Sequence, residues 1–319
     1  MARNYGVIDP SASTSVRPEV TTLFALHKRS PRYRAAKNLW EVEFCFHSSL
    51  AIQSCDRLDS IQVFRGLRGL FEQVKQDCVS ILKAILVRTM PRKFFELQMR
   101  GKLHEPEVGL VSELLPRGGV AVDVGANEGL WVYHLQKIAS EVIAFEPSDA
   151  LAKSLDRKSG ANVQVERVAL SNAPGTAELR FPRRQRSWGT IEAANRLHRT
   201  GNEVVSQRVD VRTLDSYELR RVDLIKVDVE GHEFSVLEGA GKTLERCRPN
   251  IVVEVEEAHN PGSLSKVRGF LEQRGYRGFF FDNGLRPIEE FDQVFDQDAR
   301  NVSEVGKTGR YINNFVFLG

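Results

Sequence analysis

Cysteine is scarce in this chain. There are four in 319 residues, Cys45, Cys55, Cys78 and Cys247, and none forms a Cys-x-x-Cys pair. That excludes a disulfide-stapled scaffold and a zinc site built on paired cysteines. A chain this long needs no covalent staples, and the usage fits a reducing compartment. Long apolar runs are missing too. The most hydrophobic stretch, VSILKAILV from Val79 to Val87, contains Lys83 and falls far short of the ~20 residues of a membrane-spanning helix. No apolar stretch of signal-peptide length follows Arg3. A cytoplasmic location is therefore expected. Net charge is nearly absent at +3, too little to argue for nucleic acid as a partner.

The small net charge hides an uneven spread. Residues 1–104 hold 17 Lys/Arg against 9 Asp/Glu, a surplus of 8, which leaves the remainder at −5. Residues 1–38 are rich in Ser, Thr, Pro and Arg with little periodicity, and read as a poorly ordered arm. Over 39–104 the pattern turns helical. Ile61, Phe64, Leu67, Phe71, Val74, Cys78, Leu82 and Ile85 recur at three- and four-residue steps, one apolar stripe with Arg65, Arg68, Lys75 and Arg88 off it. Such a helix covers a neighbouring core or lies on a membrane surface as a peripheral contact. Lid and dimer contact are equally compatible roles, and the pattern sets no oligomeric state.

From residue 105 to 319 strands and helices alternate. VAVDV, EVIAFE, NVQVERVAL, DLIKVDV and NIVVEVE read as strands, with helices over Glu128–Ala139, Ser148–Lys158, His232–Arg246 and Ser263–Arg274. RGFFFD and NNFVFLG close the chain as strands with no clear helix between them. The pattern predicts a doubly wound α/β fold: a mostly parallel sheet, helices on both faces, and an antiparallel edge strand.

In such a sheet the first strand-to-helix turn lets a ligand approach the backbone. Here it reads Gly125-Ala126-Asn127-Glu128-Gly129. A dinucleotide fingerprint would be G-x-G-x-x-G, but Asn127 replaces the second glycine and Gly129 falls one place short of the third. Asn127 crowds the space a pyrophosphate needs, and Glu128 adds an unfavourable charge beside phosphates. The loop suits a nucleoside ligand without pyrophosphate, and S-adenosylmethionine is one. Glu146 closes the second strand about 20 residues on, where an acidic side chain takes the ribose hydroxyls. Asp123 ends the first strand and faces the ligand's ammonium end. GAGKT at Gly239–Thr243 resembles a phosphate loop, but Val236 stands where the pattern needs its first glycine.

The densest chemistry is DLIKVDVEGHEF. Asp228, Glu230, His232 and Glu233 gather where the fourth strand ends. His232 or Asp228 could act as general base on an acceptor hydroxyl. Alternatively, Asp228, Glu230 and His232 could ligate a divalent metal, although none is expected, or Glu230–Glu233 could simply cap the next helix. Lys226 lies in an otherwise apolar strand and needs a carboxylate, Asp223 or a neighbour. Glu254 and Glu256 end the fifth strand on the same side. Arg183–Glu203 is basic and would suit an anionic acceptor.

The segments EPEV, AVDVGANEG, VIAFEPS, VALSNAPG, LDSYELRRVDLIKVDVEGHEFSVLEGAGKTL, RPNIVVEVEEAH, GYRGFFF and NNFVF occur in that order. Together they resemble the FkbM-type family of S-adenosylmethionine-dependent methyltransferases over about Glu105 to Gly319. The resemblance implies the class I methyltransferase fold, Rossmann-like, with seven strands and the last antiparallel. It implies methyl transfer to oxygen, on a hydroxyl of a sugar, glycan or natural product. It puts Asp123, Gly125, Asn127 and Gly129 on the cofactor loop, Glu146 at the ribose, Ala169 near the adenine, and Asp228 and Glu230 on the acidic signature. His232 as base is not part of it. The rivals are an NAD-type oxidoreductase on a similar fold and a catalytically silent nucleoside-binding module.

Overall fold

The computed structural model describes residues 88–100, 106–183, 185–195, 203–303 and 309–319, and positions 76–77, 85, 197 and 306–307. The expected arm over 1–38 and most of the helical stripe lie outside the described residues. The chain divides into two compact units, Met1–Val79 and Ser80–Gly319. Everything below concerns the second. Among the described residues no helix is long and apolar enough to cross a membrane.

The second unit opens with helix α1 (Pro91–Arg100), whose Phe95 and Met99 are buried against Ala126, Val132, Tyr133 and Leu155. A short helix α2 (Val111–Leu114) leads to strand β1 (Val120–Val124), then α3 (Leu130–Leu135), β2 (Glu141–Phe145), α4 (Asp149–Lys158) and β3 (Val163–Glu166). After β4 (Ala169–Leu170), β5 (Gly175–Pro182) and β6 (Val204–Arg212) come β7 (Leu224–Val227), α5 (Glu233–Glu238), α6 (Gly241–Cys247), β8 (Asn250–Glu254) and α7 (Ser263–Glu272). The chain closes with β9 (Arg277–Phe281), β10 (Leu285–Pro287), α8 (Gln293–Asp296), β11 (Val302–Ser303), β12 (Gly306–Lys307) and β13 (Asn314–Leu318).

The main sheet runs β10-β9-β13-β8-β7-β1-β2-β3. Strands β3, β2, β1, β7 and β8 are mutually parallel, and β13 is antiparallel to both β8 and β9. The mostly parallel sheet is there, with eight strands rather than the expected seven. The antiparallel β13 lies two places in from the edge, and β10 takes the edge, antiparallel to β9. The side chains explain this. Phe315 and Phe317 are buried in one core cluster and Val316 in the other. A strand apolar on both faces belongs in the interior, where each buried Phe contributes roughly 1.5–3 kcal/mol. The exposed Arg286 and Pro287 of β10 suit an edge.

Two local readings are corrected. NVQVERVAL is not one strand: β3 ends at Glu166, and β4 joins a second sheet of order β4-β6-β5 that the strand pattern overlooked. The predicted helix over His232–Arg246 breaks in two at Gly239, where an added Cβ would lie 2.0 Å from the backbone oxygen of Ser171.

Candidate active site

The carboxyl ends of β1, β2, β7 and β8 open on one crevice, as strand ends do in a doubly wound sheet. The turn after β1 forms because Gly125 (φ 83°) and Asn127 (φ 51°) take the left-handed conformation. Gly125 and Ala126 both donate backbone N–H to the carbonyl of Phe145, at 2.9 and 3.0 Å. This ties the loop to the end of β2.

Glu146 follows at once and is buried. Its Oε2 accepts from the N–H of Asn127 at 2.8 Å, its Oε1 from the N–H of Ser148 at 2.7 Å. Burial pushes its carboxyl up to about 7, opposed by those two bonds and reinforced by Asp228. The backbone thus aims the carboxylate, and each oxygen retains a second lone pair for a ligand hydroxyl. One cleft, enclosing about 610 Å³ with its mouth, is lined by Glu146 and by apolar Phe145, Leu151, Ala169 and Ile191. A nucleoside fits that chemistry: apolar walls for a flat base, a fixed carboxylate for vicinal hydroxyls. Asn127 Oδ1 is buried in the same place without a hydrogen-bond partner.

A second cleft of about 1150 Å³ is lined by Asp123, Gly129, Trp131, Trp188, Lys226 and Glu254. Gly125, Asn127, Ser187, Asp228 and Glu230 line both clefts, so this is where the two join. Of the residues singled out from sequence, Gly125, Asn127, Glu146, Ala169, Asp228, Glu230 and His232 border the first cleft. Asp123 and Gly129 border only the second.

Lys226 is 1% exposed, in register between Asp123 and Val252. Its partners are Asn314 Oδ1 at 2.9 Å and Glu254 Oε2 at 3.8 Å, with the Trp131 ring centroid at 5.3 Å. Asp223 instead pairs with Arg221 at 2.8 Å. Lys226→Ala takes one contact from Glu254, which keeps Asn313, and leaves a void where a long side chain was buried, a truncation that costs about 2–5 kcal/mol in a core. Urea unfolding should show that loss, while Lys226→Met, which keeps the volume, should lose clearly less.

His232 does not stand free as a base. Its Nδ1 lies 3.0 Å from Glu192 Oε2 and its Nε2 2.9 Å from Ser171 Oγ. A carboxylate only accepts, so Nδ1 carries a proton toward Glu192. The ring clasps the loop after β7 to β4 and to the β5–β6 insert, and could act on an acceptor only once Ser171 turned away. Glu233 accepts from the N–H of Gly231 at 2.8 Å, and burial raises its carboxyl to about 7. It opens α5 and holds the turn before it, and the helix has no side-chain cap, contrary to the capping reading of the sequence. Arg183 is paired with Glu203 at 2.8 Å, and Arg186 stacks on Phe181 at 4.8 Å while lining the first cleft. Among the described residues no group of three or more His, Cys, Asp or Glu is arranged to hold a metal ion.

Ser171, Glu192 and His259 were not singled out from sequence. The first two come from the overlooked second sheet and its insert. His259 carried a signal, since it follows Glu256 by three residues, within ion-pair reach.

Known proteins match this chain in sequence over the segment that carries the crevice. The family model for the methyltransferase FkbM domain matches residues 123–277, from the end of β1 to the start of β9. Methyltransferase sdnD of Sordaria araneosa is 30% identical over 198 residues, covering 51% of this chain and 75% of its own. Hexuronic acid methyltransferase AglP of Haloferax volcanii is 28% identical, covering 50% of this chain and 65% of its own. A solved FkbM methyltransferase from Methylobacillus flagellatus is 16% identical, with a TM-score of 0.40 over 73% of this chain and 60% of its own. On that family model, and on 30% identity to a methyltransferase covered over 75% of its length, the chain belongs to the FkbM methyltransferase family.

Proposed function

We propose that this methyltransferase uses S-adenosylmethionine to methylate a hydroxyl oxygen on a sugar, glycan or natural product. The observation that carries the reading is Glu146, buried at the cleft and aimed by two backbone N–H groups. When bound, the cofactor supplies a methyl group on a sulfonium. The residues proposed to hold it are Gly125, Asn127, Gly129, Glu146 and Ala169, with Asp123 toward its ammonium end. Asp228 and Glu230, at the junction of the clefts, are proposed to face the reacting atoms. Either could accept the hydroxyl's proton, which a neutral alcohol must lose as it is methylated. A sugar acceptor draws support from the name of the Haloferax relative. The oxidoreductase alternative needs space for a pyrophosphate, and Asn127 fills the loop there, its Nδ2 donating to the Ser187 carbonyl at 3.2 Å.

The test is incubation with tritiated S-adenosylmethionine and a panel of hexoses, hexuronic acids and polyhydroxylated natural products. Label in an ether linkage supports the reading; label in a methyl ester or on nitrogen overturns it. A pH dependence follows as well. Ribose hydroxyls need the ionised carboxylate, so binding is fully competent above the pKa of Glu146, about 7. Below it affinity should fall by up to about tenfold per pH unit. Calorimetry from pH 5.5 to 8.5 checks this, and a flat profile would remove Glu146 from the ribose site.

A further inference from the structure

Donor and acceptor must meet where the two clefts join, and Glu230 lies at that junction. Its backbone is held in the left-handed region, φ 56°, by two side chains of the β5–β6 insert. Thr190 Oγ1 and Asn195 Nδ2 donate to its carbonyl at 2.9 and 2.8 Å. A non-glycine residue persists there only when its surroundings over-determine it.

The carboxylate heads a chain of polar contacts leading away from the cleft. Glu230 Oε2 is 3.2 Å from His259 Nδ1, and His259 Nε2 is 3.4 Å from Glu256 Oε2. Glu256 accepts in addition from Tyr311 Oη at 3.2 Å and Asn313 Nδ2 at 2.9 Å. The His259 side chain is 28% exposed, so the chain reaches solvent. Glu256 only accepts, so His259 offers it Nε2–H and turns the lone pair of Nδ1 toward Glu230. That orientation receives a proton from Glu230 and passes another outward.

We propose that Glu230 takes the acceptor's proton, that His259 relays it to Glu256 and solvent, and that loading of the cationic methyl donor empties Glu230 of its own proton beforehand. This rests on the cofactor reading above. The acceptor's O–H bond breaks as its oxygen takes the methyl group, the C–S electron pair stays with sulfur, and the proton arrives on Glu230. His259 is a positioning residue that acts through Glu230.

The surrounding charges agree. Burial, then Asp228 at the end of β7, Glu254 and Glu256 at the end of β8 and Glu233 on α5 hold the Glu230 carboxyl well above its usual range. Among the described residues Lys226 is a cation near this group, 3.8 Å from Glu254. Burial holds His259 below its usual value, with Glu256 opposing. The geometry points the same way: with Nε2–H given to Glu256, the 3.2 Å contact of Nδ1 with Glu230 is a hydrogen bond when Glu230 carries the proton. A sulfonium at the junction favours the carboxylate, whereas the thioether of S-adenosylhomocysteine does not.

The test needs no acceptor. Calorimetric titration of the full chain with S-adenosylmethionine and with S-adenosylhomocysteine, in buffers of different ionisation enthalpy, counts the protons exchanged. Glu146 meets the same ribose in both ligands and cancels in the difference. The expected result is release of up to one proton per bound S-adenosylmethionine beyond that seen with the homocysteine. Glu230→Gln should abolish the difference. His259→Gln should turn its two-step pH dependence into a single step, a change that a merely structural role would not produce. Equal release by both ligands, or a difference that survives Glu230→Gln, would overturn the proposal alone. Failure of both ligands to bind the folded protein would overturn the cofactor reading, and this one with it.

Discussion

Glu146→Ala is expected to weaken binding of S-adenosylhomocysteine at least 100-fold at pH 8. Two hydrogen bonds from ribose hydroxyls to a carboxylate are lost, each worth about 1.5–3 kcal/mol because the acceptor is charged. The substitution also leaves the N–H groups of Asn127 and Ser148 without the acceptor that held them. Part of the loss should therefore appear as a lower melting temperature of the ligand-free protein. Glu146→Gln is no gentle control, because its amide nitrogen would face one of those two donors. The product is used in place of the substrate so that turnover does not blur the titration. Wild-type binding in the micromolar range with equal binding by Glu146→Ala would place the nucleoside elsewhere.

The second large effect is at Gly125. A Cβ there would lie 1.8 Å from the backbone oxygen of Asp228, and the residue sits at φ 83°. The nearest atom is main chain, so no rotamer change relieves the clash. Gly125→Ala must push β1's turn away from the loop after β7, and these two segments frame the junction of the clefts. We expect a loss of about 3 kcal/mol or more, counting the left-handed penalty of ~1–2 kcal/mol and the displaced backbone. In a unit of this size that lowers the melting temperature by roughly 10 °C. Cofactor binding should disappear. Gly175→Ala is the matched control, since an added Cβ there meets nothing within 4 Å. It should stay within about 0.5 kcal/mol of wild type. Comparable melting of the two variants would remove the steric account of Gly125.

What could be read from sequence was what is local in sequence. The Gly125–Gly129 turn and Glu146 are positioned by their own neighbours along two adjacent strands, so spacing alone located them. The partners of His232 are not of that kind. Ser171 and Glu192 lie 61 and 40 residues away and reach it only through the fold of the second sheet. The alternation of β5 and β6 was a usable strand signal that was passed over. Lys226 announced a buried pair, but its contacts, Asn314 and Glu254, come from β13 and β8, whose adjacency follows from the topology. The two-faced hydrophobicity of NFVFL, by contrast, already argued for an interior place for β13. Gly239 itself marks the break, but the reason only glycine fits there, the nearby backbone of Ser171, lies 68 residues away in the chain.

The interior place of β13 also bears on biosynthesis. During translation β8 and β9 emerge first, yet neither can complete its pairing until β13 slides between them. Asn313 and Asn314 arrive with that strand. Asn313 donates to both Glu254 and Glu256, and Asn314 accepts from Lys226. The acidic end of the crevice is therefore assembled only after β13 has emerged from the ribosome. A nascent chain stalled before it would display the glycine loop and Glu146 with the acidic end of the crevice still open.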